Sequence, residues 1–563
     1  MMLDLLLNDA RVLTMDDRRP RARTVGVLHG RIVGLDEEVA GLSARSTIDC
    51  DGAVLTPGFA DAHNHMAWYG LALCEVDLAG CATMDQVYEA VARRAATLPT
   101  DGWVIGAGYD DTVLGGHPHR AGLDRAADGR PVWLKHRSGH LCAVSGAVLE
   151  LAGVLAGTAT VPEGGVVVRD AHGEPTGELQ EQAQRLVMDL VTPYPTTELA
   201  AAIARAAKVY ASEGLTQVTE AGIGGGLIGR SPIEAAAYLA AREQDELPVR
   251  VELMVASDAL HPLARHAADT ARFGLDLGLR TGFGDEMLRL GPMKIFLDGS
   301  LVGRTAAVGE PYCDHGHGTG YLQSDGAELE QRVVDAHDAG WQVAAHAIGD
   351  RAVDLALDAL ERAQQKHPRT DVRHRIEHAA VVRPDQLARM AELGVVPVPQ
   401  PRFLYEIGDT MAAALGDERV DWMYRHRSFL DAGLRVPGSS DRPVAAGAPL
   451  LGMQSMVERR SRDGRVLAEQ ERVDAATALR AYTVDAAWAG HAEHRQGRIA
   501  PGLFADLVLL DDDPTTVPAS RIGDISVQAT FVGGRCVHGA DHIANRAAGP
   551  MPDRAEHAER SSL

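Results

Sequence analysis

Eight strand-like runs, each followed by helical sequence and most of them ending in polar residues, predict an α/β chain built on a (β/α)8 TIM barrel. A long stretch that breaks this repeat after the first strand predicts an inserted cap region. Alternating segments at both ends of the chain predict a small composite β-sandwich domain made from both termini.

The elements follow in chain order. "LLLNDARVLTM" and "TVGVLHGRIVGLD" alternate apolar residues with turn residues, and they resemble "GRIAPGLFADLVLLDDDP" and "VQATFVGGRCVHG" near the far end. Residues 1–55 and 486–540 are therefore expected to form the sandwich, and residues 56–485 the barrel. "AVLTPGFADAHNH" reads as the first barrel strand, whose period of two places Asp61, His63 and His65 on one face. The cap is expected at about 67–194 and contains the hairpin-like "GGVVVRDAHGEPTGEL". Beyond the helix "TTELAAAIARAAKVYASEG" come the strands "GLTQVTEAG", "VRVELMVAS", "GPMKIFLDGS", "WQVAAHAIGD", "VRHRIEHAA", "GVVPVPQP" and "GLRVPGSSD". Among the helices between them, "DRAVDLALDALERAQQKH" has Asp350 placed as an N-cap and Val353, Leu357 and Leu360 on one face. Residues 541–563 are polar and rich in Ala, Arg and Glu, as in a flexible tail.

Composition narrows the function. The chain has 563 residues, with 55 Lys plus Arg against 78 Asp plus Glu and a formal charge of −23. That balance argues against nucleic acid and against an anionic membrane surface, and leaves a small-molecule substrate as the expected partner. The six cysteines contain no Cys-x-x-Cys pair and fit reduced thiols in a cytoplasmic protein. The first residues lack the basic start and cleavage site of a signal peptide, and no apolar run reaches membrane-spanning length. A homo-oligomer is left open.

Residues with ligand chemistry fall at the ends of the barrel strands. His63 and His65 end the first, Lys294 lies in the fourth, His346 ends the fifth, His378 the sixth and Asp441 the eighth. In a (β/α)8 barrel these ends share one mouth, so the six converge as candidate metal ligands. Imidazole and oxygen donors without thiolate suit Zn2+, and also manganese, iron or cobalt, with one or two ions per chain. Lys294 contributes no lone pair as an ammonium. Desolvation in an apolar barrel pushes it towards the neutral amine, which reacts with carbon dioxide to give a carbamate able to bridge two cations. The alternative is an ordinary lysine ion-paired with Asp441 or Asp298. Trp103, Tyr109, His136 and His140 from the cap, and Arg304, Arg402 and Tyr405 from the strand-end loops, are candidate substrate contacts.

"PGFADAHNH", "MKIFLDGSLVGRTA", "AAHAIGDRAVD", "RIEHA" and "GSSDRPV" resemble the signature segments of the amidohydrolase superfamily. They are most similar to the branch that holds N-substituted formamide deformylase and the YtcJ-like hydrolases, and the resemblance covers nearly the whole chain. It implies metal-dependent cleavage of an amide-type C–N bond, in an N-substituted formamide or another N-acyl amine. Asp441 would be the general base, and His346 or His378 would steady the developing oxyanion. Hydrolysis of a cyclic amide, carbamate or ester, and a catalytically silent metal-binding protein of the same fold, are the alternatives.

Overall fold

The computed structural model describes residues 2–137, 140–269, 271–313 and 318–547. They fall into two compact units. The described residues of 1–66, 203–229 and 235–563 make one, and those of 67–202 and 230–234 make the other.

The first unit is centred on seven strands: β1 (Phe59–Asn64), β2 (Leu215–Ile223), β3 (Arg250–Ala256), β4 (Leu288–Phe296), β5 (Val343–Ala347), β6 (Arg375–His378) and β7 (Val396–Val398). Each pairs in parallel with its neighbours in chain order, giving one nearly closed sheet. β1, β2, β3, β5 and β6 are buried along their whole length, as expected of parallel strands covered on both faces.

The expected eighth strand, "GLRVPGSSD", forms no ladder. Pro437 removes a donor there, and Gly438 packs so closely on Tyr482 that a Cβ would stand 2.6 Å from the ring. The segment still closes the ring on the β1 side: Ala62 N–H donates to Gly438 O at 3.0 Å, and the Ser440 and Asp441 N–H groups donate to His63 O at 3.3 and 2.7 Å. Towards β7 the link is made by side chains, with Gln400 Nε2 donating to Ser439 Oγ at 3.2 Å and Ser439 Oγ to Pro399 O at 2.8 Å.

The chain ends contribute two further sheets to this unit. One has four strands, ordered Arg31–Leu35, Val25–Leu28, Met2–Asn8 and Ser43–Asp49. The other has six and pairs Leu507–Leu510 antiparallel to Val54–Pro57. Leu5, Val27 and Ile48 of the first share a buried cluster with Val12, Leu507 and Phe531 of the second.

Helix α1 (Gly326–Asp338) precedes β5 and α2 (Asp350–Lys366) follows it. Val353, Leu357 and Leu360 of α2 are buried together. Gly349 is the N-cap of α2 in place of the expected Asp350. Asp350 is the first helical residue, and its carboxylate accepts from Gly309 N at 2.8 Å and Arg383 at 3.0 Å, so a tertiary demand replaces the local cap. The expected tail begins as a helix, Ala540–Ala547. Its remainder, 548–563, lies outside the described residues.

The second unit holds a six-stranded sheet that includes the expected hairpin, Gly165–Arg169 against Pro175–Glu181. All six cysteines are free. Among the described residues no helix is long and apolar enough to cross a membrane.

Candidate metal centre

The centre starts with a polarity problem. Burying four imidazoles, two carboxylates, a guanidinium and an amine at one end of an apolar sheet is costly unless they satisfy one another. His63, His378 and Asp441 each offer a donor atom within 4.8 Å of the other two, and all three are buried. His65 joins them, with Nε2 2.9 Å from Asp441 Oδ1. Burial alone would raise the Asp441 carboxyl, but the adjacent His63 and His65 rings hold it well below the usual carboxylate range.

Each imidazole has one nitrogen committed to a partner. His63 Nδ1 donates to Glu377 Oε2, and Glu377 is gripped in turn by Arg375 through 2.7 and 2.9 Å bonds. Burial would raise the Glu377 carboxyl, but Arg375 and His63 pull it far below its ordinary range. His378 Nδ1 donates to Gln400 Oε1 at 2.7 Å, while the Gln400 amide is anchored on Val398 O at 2.9 Å. His346 Nε2 donates to Gly299 O at 3.1 Å. Of the other nitrogens, His63 Nε2 and His346 Nδ1 are buried without a hydrogen-bond partner. Such lone pairs suit a cation, and the carboxylate and carbonyl partners behind them are the usual way of fixing a metal-binding tautomer.

His346 sits beside the trio, with its ring centroid 4.4 Å from that of His378. Burial pushes His378 down to about 3 and His346 well below its ordinary value, so both rings are neutral. Their partnered nitrogens carry the protons. These tautomers fit ligand duty.

Lys294 lies in β4 with Nζ buried and without a hydrogen-bond partner, 4.8 Å from the centroid of the Phe296 ring. Burial lowers its pKa to about 8 against the pull of Glu377 and Asp441. The alternative pairing with Asp298 does not form. That carboxylate instead accepts three backbone N–H groups, from Ala307, Ile348 and Gly349, at 2.8 to 3.0 Å.

Strand periodicity alone would not place His378 here. Arg375 and Glu377 alternate inwards along β6, which would send His378 to the other face. His378 instead has φ 70°, and this left-handed turn at the strand end brings it to within 5.1 Å of the His63 ring, centroid to centroid. Asp441 is likewise left-handed, at φ 58°. Two non-glycine residues held in this region at one buried cluster are a recurrent mark of functional sites.

Sequence reasoning missed the residues behind the ligands. Glu377, Arg375 and Gln400 lie within the quoted strands and carry no spacing signal. Glu220 of β2, 3.5 Å from His65 Nδ1 and bonded by the Tyr238 hydroxyl, is equally silent in sequence. Asp61, expected on the ligand face, is taken up by Ser440 Oγ at 2.5 Å.

Among the expected substrate contacts, Arg304 folds back on its own loop and donates to Leu301 O at 2.6 Å and Val302 O at 3.0 Å. Tyr405 carries the Arg402 guanidinium 3.9 Å from its ring centroid. The others belong to the second unit. Trp103 packs on a buried cluster there, and Tyr109 is buried with its ring 5.0 Å from that of His136. His136 Nε2 pairs with Asp111 at 3.0 Å, and the exposed His140 pairs with Glu181 at 3.2 Å.

The amidohydrolase family model matches residues 46–538, most of the chain. The protein belongs to the amidohydrolase family. It is 31% identical over 541 residues to YtcJ of Bacillus subtilis, a protein named provisionally as an amidohydrolase, covering 94% of this chain and 98% of that one. It is also 31% identical over 553 residues to an N-substituted formamide deformylase of Arthrobacter pascens, covering 95% of this chain and 98% of that one. The crystal structure of an uncharacterized metal-dependent hydrolase from Pyrococcus horikoshii matches with a TM-score of 0.76 and 26% identity, covering 92% of this chain and 99% of that one.

Proposed function

We propose that the protein is a metal-dependent hydrolase of amide-type C–N bonds, with N-substituted formamides and other small N-acyl amines as its substrates. The observation that carries this reading is the buried trio of His63, His378 and Asp441, whose donor atoms lie within 4.8 Å of one another. The formamide deformylase among the relatives supports the substrate class.

His63, His65, His378 and Asp441 would hold a divalent cation, Zn2+ by donor chemistry, with His346 and Lys294 extending the set towards a second. Bound there, the cation supplies Lewis-acid activation of water and of the scissile carbonyl. Asp441 accepts the proton of the attacking water and returns it to the leaving nitrogen. Glu377 and Gln400 keep the His63 and His378 lone pairs aimed inwards. Lys294, as the neutral amine, forms an N–C bond with carbon dioxide and releases one proton to water, and the resulting carbamate is the anionic ligand that the ammonium cannot be.

The test is turnover. Protein loaded with Zn2+ is assayed for amine release from a panel of N-formyl, N-acetyl and cyclic amides. Amine release from the formyl or acetyl members, abolished by chelation and restored by metal, is the expected result. Absence of release across the panel with metal bound would overturn the reading in favour of a silent metal-binding protein.

A further inference from the structure

Arg230 follows the loop after β2 and belongs to the second unit, as do Trp68 and Tyr194. Its guanidinium lies 5.0 Å from the centroid of the Trp68 ring, and its Nε is buried without a hydrogen-bond partner. Among the described residues the side chain makes no ion pair and donates no hydrogen bond. A half-buried guanidinium stays charged at any working pH and is seldom left without an anion, so this one calls for an explanation.

Tyr194 N–H donates to Arg230 O at 3.0 Å, which ties the two residues together. Tyr194 is only 8% exposed, yet among the described residues its hydroxyl makes no hydrogen bond. Burial pushes that hydroxyl up to about 12 against the pull of the Arg230 charge, so it is a donor at neutral pH. The neighbouring carboxylates are engaged elsewhere. Glu234 accepts the backbone N–H of Arg230 at 2.8 Å and not its guanidinium, and Glu75, whose charge also reaches Tyr194, is bonded to Lys135 at 2.5 Å. Two donors on joined stretches of backbone, one of them cationic, are left without an acceptor.

We infer that Arg230 and Tyr194, with Trp68 as the platform under the guanidinium, form a binding site for a small carboxylate. The planar fork of Arg230 matches a carboxylate through two parallel N–H···O bonds, and the tyrosine hydroxyl supplies a third. The Trp68 ring favours the cation and limits its freedom before any ligand arrives. With Glu75, Glu198 and Glu234 in the neighbourhood, one cation balances a singly charged carboxylate and not a phosphate dianion. Trp68 lies three positions after His65 in the chain, so the carboxylate has two sources, the substrate itself or a separate acid. Binding of the acid is independent of the hydrolase reading.

Calorimetry with butyrate, and with butyramide as its uncharged counterpart, is run on the full chain stripped of metal and exchanged into chelator-free buffer, in the parent, Arg230→Met, Arg230→Lys and Tyr194→Phe. Methionine keeps an apolar stem on Trp68 and removes the charge. The parent is expected to bind butyrate about tenfold or more tightly than butyramide, and Arg230→Met to lose that preference. Arg230→Lys should recover part of it, and Tyr194→Phe should weaken butyrate about threefold or more. Butyrate that does not bind the parent, or that binds the parent and Arg230→Met alike, would overturn the site. The source is read in the Zn2+-loaded protein by comparing N-formyl-4-aminobutyrate with N-butylformamide. A KM that rises about tenfold in Arg230→Met for the charged substrate alone assigns the carboxylate to the substrate. Unchanged KM values for both, with butyrate binding still lost, assign it to a separate acid. If the parent turns over neither, the hydrolase reading falls and the butyrate titration alone decides the site.

Discussion

Glu377 determines which nitrogen of His63 faces the cluster. Its carboxylate accepts the hydrogen bond from Nδ1–H and leaves Nε2 as the lone pair, while Arg375 keeps the carboxylate ionised. Glu377→Gln keeps the size but weakens both contacts, so metal affinity should fall about tenfold to a hundredfold, the usual effect of losing such a partner. Calorimetric Zn2+ titration of metal-free protein checks this, and affinity within about twofold of the parent would dismiss Glu377 as a positioning residue. Asp441→Asn separates scaffold from catalyst. It retains one oxygen donor but cannot accept a proton, and turnover should fall about a hundredfold to ten-thousandfold while the fold persists. A rate within a few-fold of the parent, at equal metal content, would move the base elsewhere. At this scale the sequence was informative where chemistry marks itself. His63, His65, His378 and Asp441 could be singled out because imidazoles and a carboxylate at strand ends demand a reason. Glu377 and Gln400 could not, because a glutamate two residues after an arginine reads as an ordinary strand pair, and only the contact with a residue 314 positions away shows its use.

The helices and strands were legible wherever periodicity was strong. β3, β5, β6 and α2 lie within their expected segments, and β2 and β4 overlap theirs but run past one end, because burial on both faces requires apolar runs and α2 buries one stripe. The eighth segment was not legible, since Pro437 and Gly438 replace the ladder with bonds to β1 that no period encodes. Packing within these elements makes its own prediction. Leu357 of α2 is fully buried, so Leu357→Ala should lower unfolding stability by about 2–5 kcal/mol in a denaturant titration. A loss below about 1 kcal/mol would mean that α2 repacks around the gap. A second prediction comes from a histidine pair joining α1 to β6. His374 Nε2 donates to His337 Nδ1 at 2.8 Å, His337 Nε2 donates to His367 O at 2.7 Å, and His374 Nδ1 accepts from Val343 N at 3.0 Å. Every ring nitrogen is used, and both rings must be neutral. Burial holds His374 well below its ordinary 6.5, with His337 and Arg369 adding to the shift. The folded pKa is depressed, so the unfolded chain binds the extra proton first. The pair's contribution is present above about pH 6.5 and is lost progressively as pH falls below it. Thermal unfolding at pH 7.5, 6.5 and 5.5 should show a declining Tm, and His374→Gln should flatten that decline. An identical slope in the variant would remove the pair as its source.

At the scale of the whole molecule, the seven-stranded parallel sheet and the family assignment agree on one architecture, and both chain ends contribute to the unit that carries the centre. The neutral imidazoles with inward lone pairs and the ionised Asp441 are arranged as the donors of a cation. A cation bound there links site to stability, because metal that binds only the folded state adds to its free energy of folding. Chelation should therefore lower Tm as well as activity, and Zn2+ should restore both. The central claim is that these residues form a metal centre, and it is tested most directly by metal content. Mass spectrometry of the purified parent and of His378→Asn, each exchanged into metal-free buffer, counts the ions per chain. The account predicts about one to two divalent ions in the parent and a loss of at least about half of them in His378→Asn with the fold retained. A parent that holds no divalent metal, and takes up none when Zn2+ is supplied, would contradict it.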